Sequence, residues 1–506
     1  MNFNPQDLQG VLPAVILMAG GIVLMLSEVF LRGVAGAQPD RRFQPFLSAL
    51  FAGLALWAAL SALDEPAASL FGGAATADGI GRAIAATVAG ALLFSSLLAF
   101  GYLETLGASR GEFYALALFS ASGMCLLAQA TDLLVIFVAL EVMSLAVYCL
   151  TAWMRKGKRP AEAALKYFVL GGFASALFLY GAALAFGATG STRVVDLAQA
   201  VRGAGNGGPA AGLAWAAGAL LTAGFLFKVA AVPFQMWVPD VYEGAPAPVT
   251  GFMAAGVKAA AFATLARILV TGYGDANAAL GAHGWQELIG WLAGATMLVG
   301  NLLAVPQRSV KRMLAYSSIA HAGYLLVAIA AMAGSVPRAD AVQGLVFYLA
   351  SYAITVVGAF GVVGIIERKL APTGASDDLA SWAGLSEKHP GLAAVMTLFM
   401  VSLAGVPPTA GFMAKLGVFR AAVSAGLTPL AIVGVLTSAA GLYYYLRVVV
   451  YVYMVPEAKG ESAVIGGRMA TAGVALAGCA ALVIWLGVQP GAFTAATAAA
   501  LAGFGK

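Results

Sequence analysis

The sequence predicts an all-α polytopic membrane protein with about fourteen transmembrane helices. Of its 506 residues, 61% are hydrophobic and only 10% are charged, whereas soluble domains carry about a quarter charged residues. The apolar residues form blocks long enough to cross the ~30 Å hydrocarbon core of a bilayer, which takes about 20 helical residues. A soluble protein is thereby excluded, and prolines inside two of the blocks predict how the helices are arranged.

Fourteen apolar segments are predicted to span the membrane. The first lacks the basic flank and the small-residue cleavage site of a signal peptide, so we expect it to remain as a transmembrane helix. The approximate spans are 11–31, 43–63, 80–104, 112–129, 132–153, 161–187, 211–242, 247–271, 286–305, 309–331, 341–366, 391–424, 428–455 and 467–488.

The basic residues in the loops and at the helix ends support this count. With the N-terminus outside, sixteen of them lie on the cytoplasmic side and five on the opposite side, as the positive-inside rule requires. We interpret the net charge of +5 as this orientation signal and expect no nucleic-acid partner. The cytoplasmic set is Arg32, Arg41, Arg42, Arg110, Arg155, Lys156, Lys158, Arg159, Arg308, Lys311, Arg312, Arg368, Lys369, Lys388, Lys459 and Arg468, and the opposite set is Arg82, Arg193, Arg202, Arg338 and Lys506.

The seventh and twelfth spans, 211–242 and 391–424, are too long for simple helices. Each contains two prolines, which remove helical hydrogen-bond donors. Inside a bilayer a broken helix is tolerated only where protein or cavity water surrounds it. We therefore predict breaks at residues 229–239 and 405–409. The prolines are Pro233 and Pro239 in the first span and Pro407 and Pro408 in the second.

The spacing of the broken spans predicts the domain organisation. They are five helices apart, and an odd repeat length places the second copy upside down, so we predict two inverted five-helix repeats, each with a broken helix. Helices 1–3 occupy residues 1–106, the first repeat (helices 4–8) 107–272, the second repeat (helices 9–13) 285–455, and helix 14 residues 456–506.

The cysteines and histidines predict no redox or metal centre in this chain. An iron–sulfur cluster needs about four closely spaced thiolates, and the sequence has no C-x-x-C motif. The histidines are too scattered for haem or zinc. If the protein belongs to a redox enzyme, we expect it to carry out transport. These residues are Cys125, Cys149, Cys479, His283, His321 and His389.

Apart from the basic residues assigned to loops and helix ends, seven lie inside the predicted spans. Arg267 and Arg420 are near helix ends, where snorkelling explains them. Arg447 follows three tyrosines, Tyr443 to Tyr445, and the sequence leaves open whether it is an interface anchor or a functional residue. The full set is Lys166, Lys228, Lys258, Arg267, Lys415, Arg420 and Arg447.

Four charged residues near the centre of the membrane predict a polar interior: Glu141, Lys228, Lys258 and Lys415. Each charge at a bilayer centre costs about 2.5–3.5 kcal/mol on insertion scales. Buried structural ion pairs are the alternative, but three lysines outnumber the single central acid, Glu141.

Lysine suits proton transfer because burial favours the neutral amine and a nearby carboxylate favours the ammonium. We therefore predict that Glu141 and Lys228 interact as a proton switch. His321, in the middle of its span, could bridge two of the lysines. Lys166, about six residues into its span, is expected to reach the same buried network.

Three segments carry a resemblance to a known family. FKVAAVPFQMWVPDVYEGAPAPVTGFMAAGVKAAAFA (227–263), SVKRMLAYSSIAHAGY (309–324) and SLAGVPPTAGFMAKLGVF (402–419) closely resemble motifs of the antiporter-like, proton-conducting subunits of complex I, the proton-pumping NADH–quinone oxidoreductase. The resemblance implies a fourteen-helix fold with two inverted bundles. It also implies proton-transfer roles for Glu141, Lys166, Lys228, Lys258, His321 and Lys415.

Complex I has three antiporter-like paralogues, and this sequence resembles one of them more than the other two. One of the others carries glutamate at the position of Lys415, and another continues into a long lateral helix, for which we expect no room after Lys506. A non-redox translocase subunit in the bacterial cytoplasmic membrane is implied. Its implied partners are a neighbouring antiporter-like subunit, small membrane subunits and lipids. NADH, FMN, iron–sulfur clusters and quinone are expected elsewhere in that complex.

Two alternatives remain. A subunit of a multisubunit sodium/proton antiporter would share the fold and much of the lysine network, although residues 237–248 favour complex I. A scaffold subunit without conduction would not need the central lysines.

Overall fold

Helices make up nearly all of the computed structural model, which describes residues 4–34, 43–154, 158–202, 209–274, 284–333, 338–370, 378–456, 470–501 and 504. The α-helices are α1 (Pro5–Gly10), α2 (Leu12–Val34), α3 (Gln44–Ser61), α4 (Gly79–Thr105), α5 (Gly111–Gln129), α6 (Leu133–Thr151), α7 (Lys158–Thr189), α8 (Val194–Arg202), α9 (Pro209–Lys228), α10 (Val238–Gly244), α11 (Ala247–Arg267), α12 (Trp285–Ala304), α13 (Val310–Ala331), α14 (Arg338–Leu370), α15 (Leu385–Lys388), α16 (Pro390–Ala404), α17 (Ala410–Ser424), α18 (Thr428–Met454), α19 (Ala470–Val488) and α20 (Pro490–Leu501).

Short elements connect some of these helices. A two-stranded antiparallel hairpin, β1 (Ala68–Leu70) and β2 (Ala75–Ala77), precedes α4. Single 3-10 turns lie at Phe71–Gly73, Gln235–Trp237 and Leu379–Trp382, and α11 continues into a π turn at Ile268–Gly272.

The predicted number of spans agrees with the described helices. Thirteen of them are long and apolar enough to cross a membrane. The remaining predicted span, 391–424, is a pair of fifteen-residue helices, α16 and α17. The predicted start of the last span, 467–469, lies outside the described residues. An all-helical, multi-pass membrane fold is therefore confirmed, while the inverted relation of the two repeats remains a prediction.

Both predicted helix breaks are present, and they have the same backbone form. Helix α9 ends before Ala230, which has a left-handed φ of 64°, and α16 ends before Gly405, with φ 85°. In each case the next N–H bonds to a carbonyl five residues earlier, from Ala231 at 2.9 Å and from Val406 at 3.1 Å. This pairing satisfies a carbonyl that the end of the helix leaves free. The helices that follow the two breaks differ in length: α10 has seven residues and α17 has fifteen.

Three helices form the interior of the protein. Every residue of α11 is buried, and the apolar stretches of α13 and α14 are almost completely buried. Helices α12 and α13 pack so closely that only glycine fits at position 300 of α12. A Cβ on Gly300 would lie 2.4 Å from the backbone nitrogen of Ala320 on α13. The outer helices instead expose large apolar side chains such as Trp57 and Trp291, as lipid or partner contact requires.

Candidate functional site

Lys228 is the last helical residue before the first break, and its side chain bonds to α6. It is 3% exposed. Its Nζ donates to Ser144 Oγ at 2.9 Å and to the Tyr148 hydroxyl at 3.1 Å. The end of α9 is thereby joined to α6 through neutral oxygens.

Glu141 lies on the same face of α6, because residues at i, i+3 and i+7 align along a helix. Its carboxylate accepts a hydrogen bond from Ser175 Oγ of α7 at 2.5 Å. Among the described residues, no salt bridge joins Glu141 and Lys228; Ser144 and Tyr148 follow Glu141 on that face and bond to the lysine. The predicted interaction of Glu141 with Lys228 stays a prediction, since in this structure the lysine donates its hydrogen bonds to hydroxyl groups and not to the carboxylate.

Lys166 does not reach the buried interior, so that prediction is wrong. Its side chain is 42% exposed and forms salt bridges with Glu162 at 2.8 Å and Asp240 at 2.7 Å. Eight residues after the start of α7, it lies only about 12 Å along the helix axis, too near the end to reach the centre.

Lys258 joins the first half of the chain to the second. It lies within unbroken helix α11 and is 3% exposed. Its Nζ donates to the backbone carbonyl and to the hydroxyl of Ser318 on α13, each at 2.5 Å. The ammonium also lies 5.2 Å from the centre of the Tyr352 ring, within cation–π range.

His321 lies one turn further along α13 and has a partner at each ring nitrogen. Nδ1 is 2.6 Å from the Tyr348 hydroxyl of α14, and Nε2 is 3.1 Å from the Tyr445 hydroxyl of α18. The Tyr445 hydroxyl also bonds to Ser317. Because hydroxyl groups can both donate and accept, either imidazole tautomer is satisfied here.

Lys415 reaches back across the second break. Its Nζ donates to the carbonyls of Leu403 at 2.9 Å and Ala404 at 2.8 Å, and to Ser438 Oγ at 2.7 Å. Those carbonyls end α16, so the ammonium lies at the negative end of a helix dipole. Tyr324 of α13 places its ring 5.3 Å from the same ammonium.

Aromatic rings link three of the central residues: Tyr352 lies against both Lys258 and His321, and Tyr324 lies against both His321 and Lys415. Glu141 and Lys228 form a separate group around α6, and in the described part of the chain no hydrogen bond joins that group to Lys258. Among the described residues, none of the three central lysines forms a salt bridge; their partners are hydroxyl and carbonyl oxygens. The alternative of buried structural ion pairs therefore does not describe them.

Sequence reasoning missed the hydroxyl groups that bond to these charges. A usable signal was present, because three of them are spaced three or seven residues from Glu141 or His321 on the same apolar helix. Others lie on separate helices and carry no local signal. The missed residues are Ser144, Tyr148, Ser318, Tyr348, Ser438 and Tyr445.

The three arginines inside spans have structural contacts. Arg267 does not snorkel, contrary to prediction: it is buried and bonds to both oxygens of Asp78, at 2.7 and 3.0 Å. Arg420 is 72% exposed, as snorkelling predicts. Arg447 donates to the carbonyls of Val305, at 2.9 Å, and of Gln307, so it caps the end of α12.

No group of three or more metal-ligating side chains is close enough to hold a metal ion in the described part of the chain. His283 lies outside that part. The absence of a redox centre from the chain remains an expectation from its sequence.

Comparison with known proteins reveals relatives over almost the whole length. The family described as NADH:quinone oxidoreductase/Mrp antiporter, TM, matches residues 130–441. The NADH-quinone oxidoreductase subunit N of Myxococcus xanthus is 46% identical, covering 97% of this chain and 96% of its own. Subunit N 1 of Sorangium cellulosum is 43% identical, covering 94% and 95%.

Solved structures agree in fold. A chain of respiratory complex I from Thermus thermophilus with bound aureothin has a TM-score of 0.75 and 34% identity, covering 96% of this chain and 99% of its own. A chain of the Mrp complex from Dietzia has a TM-score of 0.82 at 21% identity, covering 100% and 98%, which shows a shared fold only. The chain therefore belongs to the NADH:quinone oxidoreductase/Mrp antiporter family of transmembrane proteins, among the relatives of the N subunits of NADH-quinone oxidoreductase.

Proposed function

We propose that this chain moves protons across the bacterial cytoplasmic membrane as a non-redox subunit of NADH–quinone oxidoreductase. NADH, FMN, iron–sulfur clusters and quinone would be bound by other subunits, and quinone reduction there would drive the transport. The names of its relatives, and their sequence identity to this chain, support its membership of that complex. The proton path is supported by the side chains described above.

One observation carries the proposal: three lysines are buried, and all of their hydrogen-bond partners among the described residues are neutral oxygens. A buried ammonium without a carboxylate partner is costly, and such a lysine can release its proton without leaving an unpaired acid behind. A lysine that served only as a fixed charge would be expected to have a buried carboxylate, as Arg267 has in Asp78.

The proposed carriers are Glu141, Lys228, Lys258, His321 and Lys415. Each is hydrogen-bonded to at least one hydroxyl group. A hydroxyl group can accept a proton from one neighbour and donate a proton to the next. His321 would pass a proton between the Lys258 half and the Lys415 half, since its two nitrogens bond to different helices. Lys166 is better suited to a positioning role, because two carboxylates fix its charge.

The position of Glu141 supports a neighbouring membrane subunit as partner. Its carboxylate is only partly buried, and the same face of α6 exposes Leu134, Val138 and Leu145 by about half. A carboxylate in contact with lipid near the bilayer centre is costly. A second subunit with a polar group opposite Glu141 would remove that cost.

A sodium/proton antiporter subunit is the second candidate, because the family that matches residues 130–441 includes Mrp antiporters. Against it stand the relatives at 43–46% identity, which are named as subunits of NADH-quinone oxidoreductase. Co-purification separates the two, because only the first candidate would bring iron–sulfur subunits with it.

The test of proton transfer is Lys258→Arg in the assembled complex, reconstituted in proteoliposomes. Arginine keeps the positive charge but almost never releases its proton. We expect pumping to be lost, while the same substitution at the exposed Lys388 leaves it unchanged. Both NADH–quinone turnover and proton uptake are measured, so that failed assembly is recognised. Normal pumping by Lys258→Arg would mean that the residue is a structural cation.

A further inference from the structure

A network of ion pairs surrounds the start of α10, on the side of the membrane predicted to be cytoplasmic. Asp240 accepts from Lys166 of α7 at 2.7 Å and from Arg312 of α13 at 2.9 Å. Each cation also has an acid of its own: Glu162 lies 2.8 Å from Lys166, and Glu243 lies 2.8 Å from Arg312. Asp240 is therefore shared between two cations that are each already paired.

Aromatic rings separate this network from Lys228. Tyr167, next to Lys166, stacks on Trp237 with ring centres 4.4 Å apart and planes 10° apart. Trp237 also stacks on Phe227 at 5.3 Å, and its indole N–H donates to the Phe227 carbonyl at 3.2 Å. Tyr148 packs against the edge of Tyr167 at 4.7 Å and bonds to Lys228.

Helix α10, which begins directly after Trp237, is also bonded to α13. Arg312 bonds to both Asp240 and Glu243. Its neighbour Lys311 donates to the carbonyl of Ala245, just past the end of α10, at 2.7 Å. These contacts fix α10 to α13, whereas in the described part of the chain the Lys166–Asp240 pair is the ionic contact between α7 and α10.

We infer that the Lys166–Asp240 pair is a latch, which keeps Tyr167 stacked on Trp237 and so closes the cytoplasmic approach to Lys228. The inference rests on the proposed proton-transfer role of Lys228. Lys166 and Asp240 are positioning residues in this account, because they act through the aromatic stack and do not touch Lys228.

The latch can open at low cost because opening leaves no charge unpaired. Lys166 keeps Glu162, one turn away on the same helix, and Asp240 keeps Arg312. The pair is also partly exposed, at 42% and 37%, and exposed pairs contribute little to stability. The Arg267–Asp78 pair differs on both counts, since it is 4% and 15% exposed and Arg267 bonds to no second acid in the described part of the chain.

The test is hydrogen–deuterium exchange of backbone amides in the assembled complex. Lys166→Gln and Asp240→Asn each remove the latch, and the double variant shows whether the two act as one unit. We expect exchange in residues 227–237 to become about fivefold faster, the effect of roughly 1 kcal/mol. Residues 401–409, at the second break, should not change. The control is Asp340→Asn, which breaks the exposed pair with Arg420 and should affect neither segment.

Each outcome decides the matter. Acceleration confined to 227–237, with the double variant no faster than the faster single one, supports the latch. Unchanged exchange overturns it, as does equal acceleration at both breaks, which would indicate general loosening. If Asp240→Asn does not assemble, Lys166→Gln decides, since Asp240 then retains Arg312. The readout does not depend on pumping, so the latch and the proton-transfer proposal fail separately.

Discussion

Lys258 on α11 donates to Ser318 on α13 through both the serine carbonyl and the serine hydroxyl, at 2.5 Å each. The lysine is thus held by one residue of a different helix, sixty positions along the chain. One of the two acceptors is backbone and cannot be removed by substitution, whereas the other is a side chain and can be.

Ser318→Ala is expected to slow proton pumping by up to about tenfold without loss of assembly. The change removes a hydrogen bond to a charged group, worth roughly 1.5–3 kcal/mol, while the carbonyl still holds the lysine. Proton uptake per NADH oxidised in proteoliposomes measures the effect. Ser351→Ala is the matched control, since that buried hydroxyl has no partner among the described residues. Equal loss in both variants would contradict a specific role for the Ser318 hydroxyl.

Tyr445→Phe should impair transfer through His321 while preserving the packing of its ring. The hydroxyl is the partner of Nε2, and without it Tyr348 is the remaining hydrogen-bond partner of the imidazole among the described residues. We expect a several-fold loss of pumping from Tyr445→Phe and a larger one when Tyr348→Phe is added, because both ring nitrogens then lose their protein partners. The comparison uses the same proteoliposome assay. A double variant that pumps normally would remove His321 from the path.

Lys415→Met is expected to destabilise the second break as well as to stop pumping. The carbonyls of Leu403 and Ala404 lose a charged donor, and an unsatisfied buried acceptor costs about 1–3 kcal/mol. The thermal midpoint of the purified complex should fall. Arg420→Gln, which removes an exposed cation from the same helix, should leave the midpoint and pumping unchanged. A Lys415→Met complex of normal stability would show that water satisfies those carbonyls.

Opposite substitutions at the two breaks should have opposite effects on stability. Gly405 has φ 85°, and a Cβ there would lie 2.8 Å from Cδ of Lys415, so Gly405→Ala is expected to destabilise the fold by about 1–2 kcal/mol or more. Ala230 already has a left-handed φ of 64°, so Ala230→Gly should relieve strain and be neutral or stabilising. Thermal unfolding of both variants provides the comparison. The expectation fails if the two changes shift the midpoint in the same direction.

The sequence alone was sufficient to predict the helices and their breaks, because both depend on residues that are close together in the chain. Helix length follows from the thickness of the bilayer, and the breaks follow from prolines that remove donors within one turn. Both breaks were predicted to within a few residues, and the described helices agree with the predicted number of spans. Four central charges could be recognised because each is costly wherever it lies in a membrane.

Only the tertiary structure decided which groups the charged residues inside the spans meet. Asp240 is 74 positions from Lys166, and Asp78 is 189 from Arg267, so no local pattern links them. Their contacts depend on how far each helix is rotated about its axis and how closely it approaches its neighbours, as at Gly300 and Ala320. Helix rotation and approach follow from the packing of many small residues at once. The sequence therefore reveals that a buried charge is present, while packing determines whether it meets a carboxylate, a carbonyl or a hydroxyl.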